Sequence, residues 1–271
     1  MKEPKNGEYS MKFGMPTLLE CPDLPATVRT TAAYGLDFLE VNLSFPRYRS
    51  DVLNAGAMNA LREAYGIFYT FHADESMNPL DADDRVAECY TRIAEEDIRL
   101  AVAVGAPLIN MHMLPGVYVT LPEGRVWMND RYREEYLEKV RRFIRRCETA
   151  IGDAPLKICI ENTDICPFTD SQRVALALFL GSPVFALTLD VGHECCMQNR
   201  NMDIYRAHPE KLYHMHLHDA DGKRAHLPLG EGKADLAAAL DLRPPTCLIE
   251  VKTLDGLRKS LDYLQAYKYR K

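Results

Sequence analysis

Residues 211–232 read KLYHMHLHDADGKRAHLPLGEG. Leu212, Met215 and Leu217 give the stretch an apolar alternation, and His214, His216, His218 and Asp219 crowd its end. Side chains two apart on a strand share a face. The three histidines therefore point the same way if the strand runs straight to its end. A polar turn, DADGK, follows, then His226, then Gly230-Glu231-Gly232. Imidazole is the commonest metal ligand and the usual general base near neutral pH. A strand end that presents several of them ahead of a glycine-loosened loop is a candidate site. Alone, the stretch reads equally well as a strand with surface histidines, and the rest of the chain decides.

Working outward, short apolar runs alternate with longer helical stretches. The runs are 13–15, 37–43, 66–72, 107–112, 156–162, 184–190, 211–218 and 246–252. Runs this short and this apolar predict strands buried on both faces, as in a parallel sheet. The segments 81–104, 131–151, 169–181 and 255–267 carry helical periodicity, and Gly105, Gly152 and Gly181 follow or close three of them where a left-handed cap is wanted. A chain of 271 residues with this rhythm predicts an α/β fold, a single (β/α)8 TIM barrel. Residues 1–10 read as a polar leader and 11–271 as one domain, since no linker or low-complexity segment divides it.

Composition narrows the function classes. The 47% apolar and 27% charged content is that of a soluble globular chain. The net charge of −6 carries no basic footprint, so nucleic acid is disfavoured. No run approaches the ~18 apolar residues of a membrane span and the N-terminus lacks an apolar signal core. The expected location is the cytoplasm. The eight cysteines include no CxxC pair, Cys195 and Cys196 are adjacent, and Cys159 and Cys247 sit in apolar strands, which predicts free thiols.

One connection, the fourth, is too long. Residues 113–131, MLPGVYVTLPEGRVWMNDR, carry Trp127, Tyr118 and Arg125. Loops of this length are often functional. The reading favoured here is a lid with Trp127 packing on ligand; a self-packed loop or an oligomer contact is the alternative, and the apolar content of the long loops suits a homodimer.

In barrels of this kind the chemistry sits at the C-terminal strand ends. Those ends offer Glu40 and Asn42, His72, His112, Glu161-Asn162, Asp190 with His193, His216, and Glu250. Carboxylates gathered this closely repel one another, and a divalent cation resolves the repulsion. Mixed oxygen and nitrogen ligands suit Zn²⁺, Mn²⁺, Co²⁺ or Fe²⁺ better than Ca²⁺.

Four stretches carry a resemblance: Ile160-Glu161-Asn162, Leu189 to His193 (LDVGH), His216 to Gly232 (HLHDADGKRAHLPLGEG) and Ile249-Glu250. They resemble the xylose-isomerase-like barrel superfamily, which holds sugar and sugar-phosphate isomerases and epimerases and also endonuclease IV. The resemblance runs from about Phe13 to Leu264. It implies one divalent metal held by Glu161, Asp190, His216 and Glu250. It further implies that the two glutamates flank the substrate and move its proton, and that His193 contacts substrate oxygens. Similarity to endonuclease IV implies a second metal position using His72 and His112. A third, using His193 and His226, is put in doubt because Arg224 stands where that enzyme has an aspartate.

Three hypotheses follow. The first is a metal-dependent sugar or sugar-phosphate isomerase or epimerase, in which Glu161 and Glu250 move a proton through a metal-stabilised enediolate. Arg224 is then a candidate for a substrate oxygen or phosphate; Arg47, Arg49 and Arg125 read more readily as solvated. The second is a metal-dependent phosphodiesterase acting on abasic DNA. The third is a lyase or dehydratase, or a sugar-binding barrel without catalysis, since one fold carries many reactions.

Overall fold

The eight apolar runs form one closed parallel barrel. A computed structural model describes residues 11–268; the polar leader 1–10 lies outside the described residues. In chain order the strands are β1 (Lys12–Pro16), β2 (Phe38–Asn42), β3 (Phe68–His72), β4 (Leu108–His112), β5 (Tyr118–Leu121), β6 (Gly124–Trp127), β7 (Lys157–Glu161), β8 (Phe185–Asp190), β9 (Leu212–Leu217) and β10 (Thr246–Ile249). The barrel closes in the order β1-β10-β9-β8-β7-β4-β3-β2, while β5 and β6 pair apart as an antiparallel hairpin. The fold is thus the expected TIM barrel. Its last strand stops at Ile249, which leaves Glu250 as the first residue beyond it.

The helices between are α1 (Leu24–Ala33), α2 (Ala55–Tyr65), α3 (Asp84–Ala103), α4 (Met128–Arg131), α5 (Arg133–Ile151), α6 (Asp170–Gly181), α7 (Val191–Cys196), α8 (Met202–Ala207), α9 (Leu236–Leu240) and α10 (Leu254–Lys268). They pack one apolar stripe on the barrel: α5 buries Tyr136, Leu137, Val140, Phe143, Cys147 and Ile151 and exposes the arginines between them. Their starts follow capping chemistry. Thr169 and Gln172 make a reciprocal capping box on α6, and Asp190 accepts the His193 N–H at the start of α7. Gly105 and Gly152 take positive φ of 65° and 57° just past α3 and α5, but Gly152 combines it with ψ −130° and so does not form the expected left-handed cap. Gly181 differs: it is the last helical residue of α6, and Ser182 forms the cap.

The fourth connection holds the hairpin the sequence reading passed over. Leu121-Pro122-Glu123-Gly124 turns it, and Tyr118 pairs with Trp127 at its open end. All eight cysteines are free thiols. Among the described residues no helix is long and apolar enough to cross a membrane.

One loop owes its course to a single carboxylate. Asp219 Oδ1 accepts the N–H groups of Ala220 and Ala234, and Oδ2 those of Gly230 and Gly232. Those bonds fold the HDADGK…GEG stretch back over the end of β9. A second close fit lies at Gly192, where an added Cβ would fall 2.0 Å from His218 Cε1.

Gly192→Ala is therefore expected to destabilise the protein by ~1–3 kcal/mol in urea unfolding, because the imidazole must leave its place. Gly181→Ala, with nothing within 4 Å of the new Cβ, is the control and is expected to be neutral or to stabilise by up to ~1 kcal/mol.

Candidate metal centre

The parallel register brings the strand ends together. His112 pairs with Glu161, and Asp190 with His216, across adjoining strands. One oxygen or nitrogen from each of Glu161, Asp190, His216 and Glu250 lies within 4.8 Å of the others, and all four residues are buried. His216 Nδ1 stands 3.1 Å from Glu161 Oε1, 3.2 Å from Glu250 Oε2 and 3.9 Å from Asp190 Oδ2.

Three of these atoms, Glu161 Oε1, His216 Nδ1 and Glu250 Oε2, are buried without any hydrogen-bond partner. Orphaned buried polar atoms are rare, and here they converge. On its other side, His216 Nε2 lies at ion-pair distance, 2.9 Å, from Glu40 Oε1. A carboxylate there favours the tautomer protonated on Nε2. The Nδ1 lone pair then faces anionic oxygens, an arrangement that needs a positive charge between them. A divalent cation fits that requirement and this mixed donor set.

The alternative charge is a proton. Burial works against a His216 imidazolium, but the charges of Glu161, Glu40 and Glu250 overcome it and hold its proton affinity well above the ordinary value. Burial likewise opposes charge on Glu161 and Glu250. His216 and His112 nevertheless hold Glu161 well below the ordinary carboxyl range, and His216 and Lys252 do the same for Glu250.

A second tier orients the first. Glu40 also accepts from Thr70 Oγ1 at 2.9 Å and contacts His214 Nε2 at 3.0 Å, so His214 braces the site from one layer below. His218 Nδ1 accepts the His226 N–H at 2.8 Å, which leaves Nε2–H to donate to Asp190. The three histidines of β9 and its end do point inward together, as the alternation predicts. Asn162 exchanges hydrogen bonds with the Asp190 backbone and receives one from Tyr205 Oη, locking β7 to β8.

The other predicted residues divide. His72 Nε2 and His112 Nε2 lie 3.3 Å and 3.2 Å from Glu161 Oε2, which also accepts from Asn110. His72 Nδ1 sits 2.7 Å from the Ala73 carbonyl and donates there, so in the metal-free protein the imidazolium presents Nε2–H to Glu161, and only the neutral ring would present a lone pair. His193 Nδ1 is 3.2 Å from Asp190 Oδ2, and His226 Nδ1 is 3.6 Å from Glu250 Oε2. Burial pulls the His226 imidazole down to about 4.

Above this floor opens a cavity of about 460 Å³ whose wall includes His72, His112, His193, His226 and Glu250. Glu250 reaches it; Glu161 does not line it and is fully enclosed. Trp127 and Arg224 are not in its wall. Trp127 stacks edge-on against Tyr118, 5.0 Å between centroids, while Arg125 covers the same tyrosine. Arg224 is ion-paired to Asp221 at 2.8 Å on the exposed turn. Lys252 was not anticipated: it donates to Glu250 Oε1 at 2.7 Å and lines the cavity. Its position two residues after the strand-end Glu250 was the available signal.

With fold and site in view, the comparisons place the chain. It belongs to the xylose isomerase-like TIM barrel family, whose sequence profile matches residues 28–267. An uncharacterised protein of Methanocaldococcus jannaschii is 26% identical over 245 residues, spanning 85% of this chain and 91% of that one. Two solved structures share the fold. A D-tagatose 3-epimerase-like protein superposes with a TM-score of 0.77 at 22% identity, over 96% of this chain and 97% of its own. The IOLI protein, crystallised with a zinc atom, superposes with a TM-score of 0.70 at 16% identity, over 95% of this chain and 96% of its own.

The buried ion pairs set a pH dependence. Burial depresses the His72 imidazole, but its bond to Glu161 and the charges of Glu161 and Glu40 outweigh that and lift it to about 9. Its unfolded value is about 6.5. In chelator-treated protein the resulting stabilisation is fully present below about pH 6.5 and is lost as pH rises through about 9. Urea unfolding at pH 6.5 and 9.5 is expected to show wild type losing ~1 kcal/mol or more relative to His72→Gln; equal losses would contradict it.

Proposed function

We propose that this protein is a divalent-metal-dependent sugar isomerase or epimerase that works by proton transfer next to a carbonyl. The observation that carries this reading is the convergence of three orphaned buried atoms, Glu161 Oε1, His216 Nδ1 and Glu250 Oε2, just beneath an open cavity whose wall Glu250 joins. With Asp190 they would hold one Zn²⁺, Mn²⁺, Co²⁺ or Fe²⁺ ion. When bound, such a cation supplies Lewis-acid stabilisation of negative charge on neighbouring substrate oxygens.

The chain's own groups supply the rest. Glu250 reaches the cavity and is the carboxylate placed to take the substrate proton; returning it to the adjoining carbon gives isomerisation, while epimerisation requires delivery to the opposite face by a second group. Glu161 Oε2 is occupied by Asn110, His72 and His112, so its part is chiefly to hold the cation. His193, in the cavity wall beside Asp190, is placed to donate to a substrate oxygen.

The substrate class favoured is a neutral sugar rather than a sugar phosphate. Among the described residues of the cavity wall Lys252 is the one lysine or arginine, and it is bound to Glu250. Arg224 is held by Asp221, Arg49 by Asp51 and Arg47 by the Pro22 carbonyl. A phosphate would instead meet Glu75, Asp164 and Glu250.

One observation favours a second reading, a metal-dependent phosphodiesterase. His72 and His112 both aim Nε2 at Glu161 Oε2, which would suit a second cation. The two readings differ in metal count and in substrate.

Elemental analysis of purified protein is expected to find about one Mn, Co, Fe or Zn per chain, lost in Glu161→Gln. Two or more zincs per chain, together with cleavage of abasic-site DNA, would replace the first reading with the second. Ketoses and aldoses incubated with the enzyme in D₂O are expected to gain deuterium beside the carbonyl, followed by NMR. Glu250→Gln is expected to slow that exchange ~10²–10⁴-fold. No bound metal, and no exchange with any sugar tried, would overturn the proposal.

A further inference from the structure

The cavity wall is not uniform. The strand order puts β10, β1, β2 and β3 side by side, with β7 across the barrel from β1 and β4 across from β10. The first arc carries Lys252 just beyond β10, Thr17 after β1, Asn42 at the end of β2 and Glu75 after β3. The facing arc carries Leu114 after β4 and Ile165 after β7. The first arc thus holds the one ammonium of the wall beside carboxylates, while the facing arc sets Leu114 and Ile165 among His112, Thr163, Asp164, His193 and His226.

The polar arc is built rather than incidental. Asn42 Nδ2 donates to Glu75 Oε1 at 3.0 Å, and Asn42 Oδ1 accepts the Ser44 N–H at 2.9 Å. The Glu75 N–H donates to Ser44 Oγ at 2.9 Å, so side chain and backbone of Glu75 are both fixed from the β2 end. Only one Glu75 oxygen is used in this way. Lys252 spends one N–H on Glu250 and has two more, and it feels the charge of Glu75 as well as that of Glu250. A carboxylate oxygen and an ammonium thus face one cavity as neighbouring acceptor and donor.

We propose that Glu75 and Lys252, with Asn42 bracing Glu75, form a hydroxyl-binding subsite for a polyol chain, Lys252 at the edge of the metal-ligating floor against Glu250 and Glu75 beyond it on the β3 side. The proposal rests on the sugar reading above and deepens it. Each sugar hydroxyl both donates and accepts, so adjacent hydroxyls satisfy Glu75 and Lys252 together. Leu114 and Ile165 take the C–H face of the chain, the usual division of labour in a small-molecule site. The pair discriminates by chain length and hydroxyl stereochemistry, because a three-carbon sugar engaged at the floor has no hydroxyls left to reach Glu75.

The test uses xylitol, a five-carbon polyol without a carbonyl, titrated by calorimetry into Mn²⁺-loaded wild type, Glu75→Gln, Lys252→Met and Lys252→Arg. Losing a hydrogen bond to a charged group is worth ~1.5–3 kcal/mol, or roughly 10–100-fold in affinity. Glu75→Gln and Lys252→Met are each expected to weaken xylitol by about that factor, with Lys252→Arg recovering part of the loss. Bound Mn²⁺ and the melting temperature, measured on the same samples, separate loss of the subsite from loss of the fold. In kinetics the rise in KM is expected to be larger for pentoses and hexoses than for dihydroxyacetone. Equal xylitol affinity in all four proteins would overturn the subsite, as would no xylitol binding by wild type. Xylitol binding that weakens as expected, in a protein that exchanges no sugar proton, would uphold the subsite and sink the isomerase reading instead.

Discussion

Burying carboxylates inside a barrel is costly unless each meets a positive charge or a donor, and this barrel encloses Glu40, Glu161, Asp190 and Glu250 near one another. Much of the surrounding architecture answers that cost. Glu40 lies among Thr70, His214 and His216; Asp190 among His193 and His218; Glu161 among Asn110, His72 and His112. After these partners are assigned, Glu161 Oε1, His216 Nδ1 and Glu250 Oε2 remain unanswered and lie together, whereas other unpartnered buried groups, such as Asp97 and the Tyr136 hydroxyl, stand apart from the site. Several such atoms converging on one point are what a bound cation would answer.

The barrel was legible because both strand faces are buried, which turns each strand into a short apolar run that stands out among charged helices. The floor of the site was legible for a related reason. A polar residue ending such a run sits at the rim, and register does the rest: His112 beside Glu161 follows from regular parallel pairing, and Asp190 beside His216 from a pairing with one irregularity at Leu187/Thr188.

Side-chain direction outside the barrel strands was not legible. Trp127 is the kind of residue that covers a ligand, but it lies on a two-stranded hairpin whose cross-strand partner, Tyr118, claims its ring. Local pairing of that kind is settled within the loop, and the β-branched and aromatic residues of YVTL and GRVW on either side of Pro122-Glu123 were the sign of it. Arg224 lies in a turn where Asp221, three residues back, is nearer than any cavity. Lys252 went unremarked because a lysine after a strand is ordinary; what distinguishes it is the strand's early end, which turns Glu250 and its neighbour toward the mouth. The inequality of Glu161 and Glu250 is likewise invisible in a sequence that shows two glutamates at two strand ends.

The grip of Asp219 on its own loop has a wider consequence. Its carboxylate holds the chain by main-chain N–H groups alone, at Ala220, Gly230, Gly232 and Ala234. The route of the loop is thereby separated from what its side chains are. Exposed positions such as Lys223 and Arg224 can be exchanged without rerouting the segment, provided Asp219, the Asp221 carboxylate that holds the Lys223 and Arg224 N–H groups, Gly222 at φ 90° and the buried Leu229 remain. A scaffold arranged in this way permits new recognition chemistry to be written onto a fixed path, at the few side chains that the path itself does not use.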